Sequence, residues 1–168
     1  MRYRAGGAGL LGVLLTVAAS GTVLAHEERQ VGDYTFVVGF ADEPVFTGQK
    51  SGLEFSVMSG EQPVEGLEDT LQAGVIYEGE TQALPLSPRF GEPGWYESVF
   101  FPTAAGQYTF HIFGEVEGQA VDESFTSGAD TFGDVTDAAS GQFPVVYPAT
   151  GDIVSDAEIG RASCRERV

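Results

Sequence analysis

Hydrophobic and polar side chains alternate along much of the chain with the two-residue period of β-strands. Residues 34–40 place an aromatic or aliphatic side chain at every second position, and residues 53–57 and 71–77 repeat the pattern. Residues 95–101 also favour a strand, although aromatic side chains occur on both of its faces. Helical periodicity is nearly absent, and turn residues separate the segments. The pattern therefore predicts an all-β protein.

Residues 102–114 carry the most specific local signal. A break at Pro102 and Gly106 separates two strands, after which Tyr108, Phe110 and Ile112 alternate toward one face. A tyrosine in this position resembles the tyrosine corner of Greek-key sandwiches, where the hydroxyl group bonds back to upstream backbone. This segment therefore favours a Greek-key arrangement of the strands.

Two turns complete the predicted strand pattern. One is expected at Gly79 and Glu80, and the other, at Glu117 and Gly118, leads into a last hairpin strand. About seven strands then recur at the spacing that is typical of an immunoglobulin-like sandwich. We predict a single immunoglobulin-like Greek-key β-sandwich over residues 26–127.

The first 25 residues predict a secretory signal peptide. Arg2 and Arg4 precede an apolar run over residues 10–19, and small or apolar residues lead up to Ala25, where a signal peptidase would cleave. The run is shorter than the roughly 20 apolar residues that a transmembrane helix needs. We therefore expect an exported protein, extracellular or at the cell surface, whose mature chain begins at His26.

The end of the chain differs from the rest in composition. Residues 158–168 contain three arginines and the single cysteine. Written back into codons, residues 159–168 resemble a common sequencing adapter read in frame, so we interpret residues 158–168 as a non-native tail and exclude them. Before the tail, residues 128–157 predict an exposed acidic loop, an extended segment at 142–148 that its two prolines confine to a sheet edge or a linker, and a polar linker. We expect a membrane tether in a missing C-terminal segment.

The charge of the predicted mature chain limits its partners. Arg29, Lys50 and Arg89 are the basic residues of 26–157, against 23 acidic ones, which gives a net charge of about −20. Such a charge repels nucleic acids and anionic lipids. We therefore expect no nucleic acid as a partner, and an extracytoplasmic protein or ligand of unknown identity instead.

The sequence contains no recognisable catalytic motif. A G-x-S-x-G elbow, a phosphate-binding glycine loop, a CxxC pair and an HExxH helix are all absent, and only two histidines could act as a base. Neighbouring carboxylates are expected by chance in so acidic a chain. We therefore predict a protein that is not an enzyme and has no cofactor.

His26 is the most interesting candidate ligand for a metal. After cleavage at Ala25, its free amine and its imidazole could chelate one Cu(II) ion, and His111 is the only other imidazole that could complete the set. The alternation around Phe110 and Ile112 predicts that His111 points away from the core. The other interpretation is that both histidines are ordinary surface residues.

Two weaker hypotheses concern calcium and aromatic recognition. Oxygen ligands for Ca²⁺ could come from a group of acidic residues, although their spacing does not match an EF-hand. Trp95 and Tyr96 could form a platform for a sugar or a partner protein, but a tryptophan of a sandwich is more often part of the core. The acidic residues considered for Ca²⁺ are Asp122, Glu123, Asp130, Asp134 and Asp137.

A set of residues between positions 94 and 112 resembles that of a known group of proteins. These residues are Gly94, Trp95, Tyr96, Pro102, Gly106, Gln107, Tyr108, Phe110, His111 and Ile112. Over residues 26–127 the chain is similar to the YtkA-like group of bacterial exported immunoglobulin-like domains, and more distantly to CopC-type copper carriers. The first resemblance implies a β-sandwich and often a C-terminal transmembrane segment, and the second would make His26 a copper ligand.

Two functions from different classes follow. The first is a non-enzymatic exported or cell-surface β-sandwich module with a binding or structural role. The second is an extracytoplasmic copper-binding protein that uses His26, with His111 as its candidate partner.

Overall fold

The protein is built from ten β-strands in a computed structural model that describes residues 25–147. No α-helix occurs in this range, so the predicted all-β class is confirmed. The predicted signal peptide, the end of the linker and the tail lie outside the described residues. The strands are β1 His26–Val31, β2 Tyr34–Phe40, β3 Ser51–Ser59, β4 Gln62–Pro63, β5 Leu71–Tyr77, β6 Glu80–Leu84, β7 Ser87–Pro88, β8 Trp95–Phe100, β9 Thr109–Val116 and β10 Gln119–Thr126.

The strands form two sheets that pack face to face. Sheet 1 has the order β1-β2-β3-β8-β7, with β4 also paired to β3, and sheet 2 has the order β10-β9-β5-β6. The strands β2, β3, β8 and β7 follow the A-B-E-D order of an immunoglobulin domain, and β10, β9 and β5 follow G-F-C. The predicted immunoglobulin-like sandwich is confirmed. Strand β1 is an addition that the alternation did not predict. Its four middle residues are all polar or charged, so no apolar residue alternates with them.

Aromatic side chains dominate the core between the sheets. Alternate residues of each strand face inward, which is why Phe36, Phe55 and Phe110 are fully buried while their neighbours along the strand face outward. Phe40 and Phe110 meet edge to face across the sheets, with ring centroids 5.1 Å apart. Truncating one such aromatic to alanine costs about 3–5 kcal/mol. Close packing stabilises the described domain, which contains no cysteine.

The predicted tyrosine corner is present. The Tyr108 hydroxyl group donates a hydrogen bond to the carbonyl oxygen of Ala104 at 2.9 Å, directly before strand β9 begins. Burial of the ring raises the pKa of Tyr108, so the phenol stays protonated and available as a donor. The Tyr108 amide also donates to the Ser127 hydroxyl oxygen at 3.0 Å. These bonds hold the residues just before β9 in place and connect them to the residue that follows β10.

The hairpin turn at Glu117 and Gly118 lies where the sequence predicted it, and the turn predicted at Gly79 and Glu80 lies one residue earlier. Glu78 and Gly79 join β5 to β6, and Glu117 and Gly118 join β9 to β10; all four residues have positive φ angles. Positive φ at both central residues defines the type I′ turn, whose twist matches that of the flanking strands. The glycines adopt this conformation without steric cost.

The segment predicted to be an exposed acidic loop instead closes one end of the sandwich. Phe132 and Val135 are buried in the same core as the strands, and the Phe132 ring stacks on Phe110 with centroids 5.6 Å apart. Backbone bonds hold this end cap, residues 128–137, against neighbouring loops, including one from the Gly106 amide to the Val135 carbonyl oxygen at 2.8 Å. The predicted domain boundary at residue 127 was therefore too early, because the core includes residues up to 135.

Candidate functional site

The two histidines lie on opposite outer faces of the sandwich. His26 of β1 is paired with Gly39 of β2, whose neighbours Val38 and Phe40 face the core, so the imidazole faces outward from sheet 1. His111 of β9 lies between two core residues and faces outward from sheet 2, as predicted. The sandwich core separates the two imidazoles. The structure therefore does not bring His26 and His111 together in one copper site.

His111 is held in a local pair. Its Nε2 atom lies 2.6 Å from Asp122 Oδ1 on the adjacent strand β10, and its ring stacks on Phe113 with centroids 4.8 Å apart. These contacts fix the imidazole flat on the outer face of sheet 2. They are the contacts of a surface strand residue, which was the alternative interpretation of His111.

The outer face of sheet 1 carries a cluster that the sequence did not single out. We call it the Glu54 cluster; it consists of His26, Glu54, Arg89, Trp95 and Glu97. The strand register places His26, Gly39, Glu54 and Glu97 in one row across β1, β2, β3 and β8. The Glu54 side chain is only 9% exposed, although it points away from the core. A buried carboxylate needs charged or hydrogen-bonding partners, and the cluster supplies them.

Arg89 is the main partner of Glu54. Its guanidinium Nη1 lies 2.6 Å from Glu54 Oε2, and weaker contacts reach Glu92 at 3.5 Å and Glu97 at 3.9 Å. From the other side His26 Nε2 approaches Glu54 Oε1 at 3.3 Å, but without the alignment of a hydrogen bond. One guanidinium thus neutralises a mostly buried acid and partly neutralises two exposed ones.

Glycine at position 39 allows His26 to reach Glu54. A Cβ atom at Gly39 would lie 2.8 Å from the imidazole ring and 2.5 Å from the Ala25 carbonyl oxygen. Any side chain on this residue would therefore push His26 off the sheet. The imidazole instead lies across β2 and contacts Trp95 edge to face, with ring centroids 6.0 Å apart.

Trp95 belongs to this outer cluster and not to the core. It is half-buried, because His26 contacts its ring and the Arg89 guanidinium carbon lies 5.9 Å from its centroid. The next residue, Tyr96, takes the core position. Its hydroxyl group donates to the Val64 carbonyl oxygen at 2.7 Å and accepts from the Leu67 amide at 3.1 Å. The expectation of a core tryptophan was therefore wrong. The core position belongs to the next residue, and consecutive residues of a strand face opposite sides of the sheet.

Four of the five acidic residues considered for calcium have separate partners. Asp134 accepts a hydrogen bond from the Ser127 hydroxyl group at 2.5 Å, and Asp137 accepts from the Ala139 amide at 2.9 Å. Asp122 is paired with His111, and Glu123 with Arg29. Within residues 25–147 no three histidine, cysteine or acidic side chains are arranged to hold a metal ion. The predicted calcium arrangement is not formed.

A second surface feature is an aromatic cleft at the edge of sheet 2. We call it the β6-edge cleft; its volume is about 350 Å³. Strand β6 forms one rim, and exposed Phe101 with buried Pro102 forms the opposite rim. Four of the five residues of β6 are exposed. Further lining residues are Val75, Tyr77, Phe100, Thr103, Ala104 and Tyr108.

Strand β6 is an edge strand with one free side. In the part of the chain that the structure describes, it pairs with β5 and with no other strand. Its outward N–H and C=O groups can therefore accept another strand. The cleft beside it could take one or two side chains of such a strand.

The fold and these sites define the class of protein: a β-sandwich of two antiparallel sheets with immunoglobulin-like strand order. No helix of residues 25–147 is long and apolar enough to span a membrane. Comparison with known proteins adds a distant similarity of β-rich folds. A crystal structure of a DUF4426 family protein from Pseudomonas aeruginosa PAO1 matches with a TM-score of 0.47 and 18% identity, over 61% of this chain and 93% of that chain.

The sequence comparisons are negative. No protein-family model matches the chain, and no curated protein matches it. The resemblance to the YtkA-like group and to CopC-type carriers therefore stays a prediction.

Proposed function

We propose that this chain is a non-enzymatic β-sandwich module, exported or at the cell surface, that binds an extended segment of a partner protein at the β6-edge cleft. The observation that carries the proposal is the aromatic cleft beside a strand with a free side. Added strands are a common mode of peptide recognition, in which backbone hydrogen bonds supply affinity and adjacent pockets select side chains. This surface offers both elements.

The chemistry of the cleft specifies the kind of segment that it would bind. Phe101 is 60% exposed, and the rings of Tyr77 and Tyr108 lie behind it with centroids 4.8 Å apart. Aromatic side chains contribute most of the binding energy at many interfaces. We expect a partner strand with aromatic or β-branched side chains at alternate positions, and without acidic residues because the chain has a net charge of −17.

Tyr77 supports this surface as a rigid one. Its hydroxyl group donates a hydrogen bond to the Ala105 carbonyl oxygen at 3.0 Å, which connects strand β5 to the loop before β9. The tyrosine corner holds the same loop from inside. A cleft whose walls are fixed in this way loses little conformational entropy when a ligand binds.

The test is selection from a displayed library of random short peptides. Wild-type protein should enrich peptides with alternating aromatic and β-branched residues, and Phe101→Ser should reduce their binding at least tenfold. Phe90→Ser is the matched control, because Phe90 is fully exposed in the loop between β7 and β8 and is not part of the cleft. Equal enrichment by wild type and Phe101→Ser would remove the β6-edge cleft as the binding site. Turnover of any substrate in a broad hydrolase screen would contradict the non-enzymatic part of the proposal.

A copper-binding function of His26 is the second candidate, and one contact favours it. The imidazole Nε2 atom faces Glu54, so Nδ1 is the ring nitrogen left for a metal. In a chain that starts at His26, Nδ1 and the terminal amine would close a six-membered chelate ring around Cu(II). Carboxylates that face the other ring nitrogen commonly orient metal-binding histidines.

Electron paramagnetic resonance tests the copper candidate. The chain that starts at His26 should give a tetragonal Cu(II) spectrum with nitrogen ligands, and acetylation of the His26 amine should abolish it. His111→Ala should leave the spectrum unchanged, because His111 lies on the other sheet. A spectrum that survives acetylation would show that the terminal amine is not a ligand and would end this hypothesis.

A further inference from the structure

We propose that the partner strand at the β6-edge cleft is residues 142–147 of a second copy of this chain. This inference rests on the proposed binding at the β6-edge cleft and names its occupant. It predicts that the protein associates with itself through an exposed segment that follows the end cap.

Residues 143–147 form a run of apolar side chains that the described part of the chain leaves exposed. Phe143 is 93% exposed, and Val145, Val146 and Tyr147 are each more than half exposed. The sequence predicted a sheet edge or a linker here, and the structure places the segment outside every strand of residues 25–147. Single exposed apolar residues need no explanation, but a run of this kind marks an interaction surface.

The four sheet edges differ in how well they resist an added strand. Strand β1 carries Glu27, Glu28 and Arg29, and strand β10 carries Asp122 and Glu123. Strand β7 has two residues, one of them a proline. Charge, short length and proline are the devices that protect sheet edges. Strand β6 has a single charge, Glu80 at its first position, and is therefore the least protected edge.

Charge supports a second copy as the occupant. Two copies with a net charge of −17 each repel one another over most of their surfaces. Residues 142–147 carry no charge, and β6 carries none after Glu80. Contact between these two elements joins the copies where repulsion is weakest. A strongly basic partner would instead bind the acidic faces, and residues 142–147 would stay uncovered.

The segment has the residue types of an added strand. Val145, Val146 and Tyr147 have high β-propensity, and alternation places Val145 and Tyr147 on one face, where one of them can enter the aromatic cleft. Pro144 is compatible because the added strand becomes the new edge of sheet 2, and edge strands tolerate proline. The expected contact is short, so we expect a reversible association.

The experiment measures association by sedimentation velocity over a range of protein concentrations, with the chain from residue 26 onward. Wild type should form dimers or larger species as the concentration rises. The triple variant Val145→Ser, Val146→Ser, Tyr147→Ser should be at least tenfold weaker in association with an unchanged Tm, because these side chains are exposed. Phe90→Ser, which removes a fully exposed aromatic elsewhere, should associate like wild type.

A second pair of variants tests the edge itself. Successive N–H groups of an edge strand point alternately to its neighbour and to the free side. Proline at one of the two positions Thr81 and Gln82 therefore removes an outward donor and spares the bonds to β5, whereas proline at the other removes a bond to β5. The one of these two variants that keeps the wild-type Tm should not self-associate. Mixed with the triple variant, it should form a heterodimer, because each protein supplies the element that the other lacks.

The outcomes separate this inference from the proposed function. Monomeric wild type at every concentration, or association that the triple variant retains, would overturn the inference. If library peptides still bound at Phe101 in that case, the module would remain and its partner would be a different protein. If neither peptides nor a second copy bound, both proposals would fall.

Discussion

The two lateral sides of the sandwich, where the edge strands of the two sheets lie, differ in the side chains that line them. On one side β1 and β10 face each other, and charged side chains close the gap between the sheets. On the other side β6 lies beside the loop after β8, and an aromatic cleft stays open. Both sides bury the same kind of core, so the difference lies in the residues at the rim.

Arg29 is the centre of the closed side. Its guanidinium carbon lies 4.3 Å from the centroid of the Phe125 ring, and its Nη1 atom lies 3.0 Å from Glu123 Oε2. The Glu27 carboxylate accepts hydrogen bonds from Nε and Nη2 along another edge of the guanidinium. Nearby, the Tyr34 hydroxyl group donates to Glu117 at 2.9 Å. Cross-sheet contacts of this kind connect β1 and β2 to the hairpin of β9 and β10.

The comparison shows how an immunoglobulin-like sandwich can direct association. Charges and ion pairs make the β1 and β10 edges costly to desolvate, so another strand gains little by pairing there. The β6 edge has no such cost. The following predictions test this difference, beginning with the largest expected effect.

Tyr108 should be the most sensitive residue of the open side. It forms the floor of the cleft and is 5% exposed, so Tyr108→Ala should lower the free energy of unfolding by about 3–5 kcal/mol. Tyr108→Phe removes only the bond to Ala104 and should cost about 1 kcal/mol. Urea denaturation measures both. A Tyr108→Phe variant as stable as wild type would show that the tyrosine corner does not stabilise this domain.

Arg29→Ala should remove the central contacts of the closed side and lower the free energy of unfolding by less than Tyr108→Ala does. Loss of the contact with Phe125 and of partly exposed ion pairs should reduce stability by about 1–2 kcal/mol at low salt, and less at high salt because the ion pairs are screened. Arg29→Met, which keeps an apolar stem over Phe125, should recover part of the loss. Lys50→Ala is the charge-matched control and should change stability by about 0.5 kcal/mol or less. A loss independent of salt would assign the effect to packing alone.

The pKa of the Tyr34 hydroxyl group should show whether its hydrogen bond to Glu117 on the closed side is formed. Its hydrogen bond to Glu117 raises the pKa of Tyr34, because ionising the phenol would break the bond and place two negative charges together. The bond therefore stabilises the fold below the unfolded pKa of tyrosine and is lost as pH rises through the folded pKa. Glu117→Gln should lower the pKa of Tyr34 in an ultraviolet titration, with Tyr34→Phe to assign the signal. An unchanged titration in Glu117→Gln would show that Glu117 does not control this phenol.

Much of the fold could be predicted because its signals are local. The two-residue alternation marked the inward faces of β2, β3, β5 and β9, and Pro102, Gly106 and Tyr108 marked the tyrosine corner. Turn residues located one type I′ hairpin at its position and the other to within one residue. Each of these signals lies within a few residues of the structure that it specifies, so neighbouring side chains suffice to reveal it.

The sites were predicted less well, because their residues meet only through strand pairing. Glu54 could be assigned to an outer face, but its burial depends on Arg89 from after β7 and on His26 from β1. The scarcity of basic residues was the available signal, since Arg29 and Arg89 each pair with more than one acid. His26 and His111 were considered together because they are the two histidines, and topology placed them on opposite faces.

The sequence by itself determined the all-β class, the strands that supply the core and the turns between them, because alternation and turn chemistry act over a few residues. Only the tertiary structure decided which edges are protected, where the Glu54 cluster forms and that Phe132 and Val135 close the core. These properties depend on residues that are far apart in the chain. Two apolar residues among glycines and aspartates are buried only because the sandwich leaves an end that they can fill.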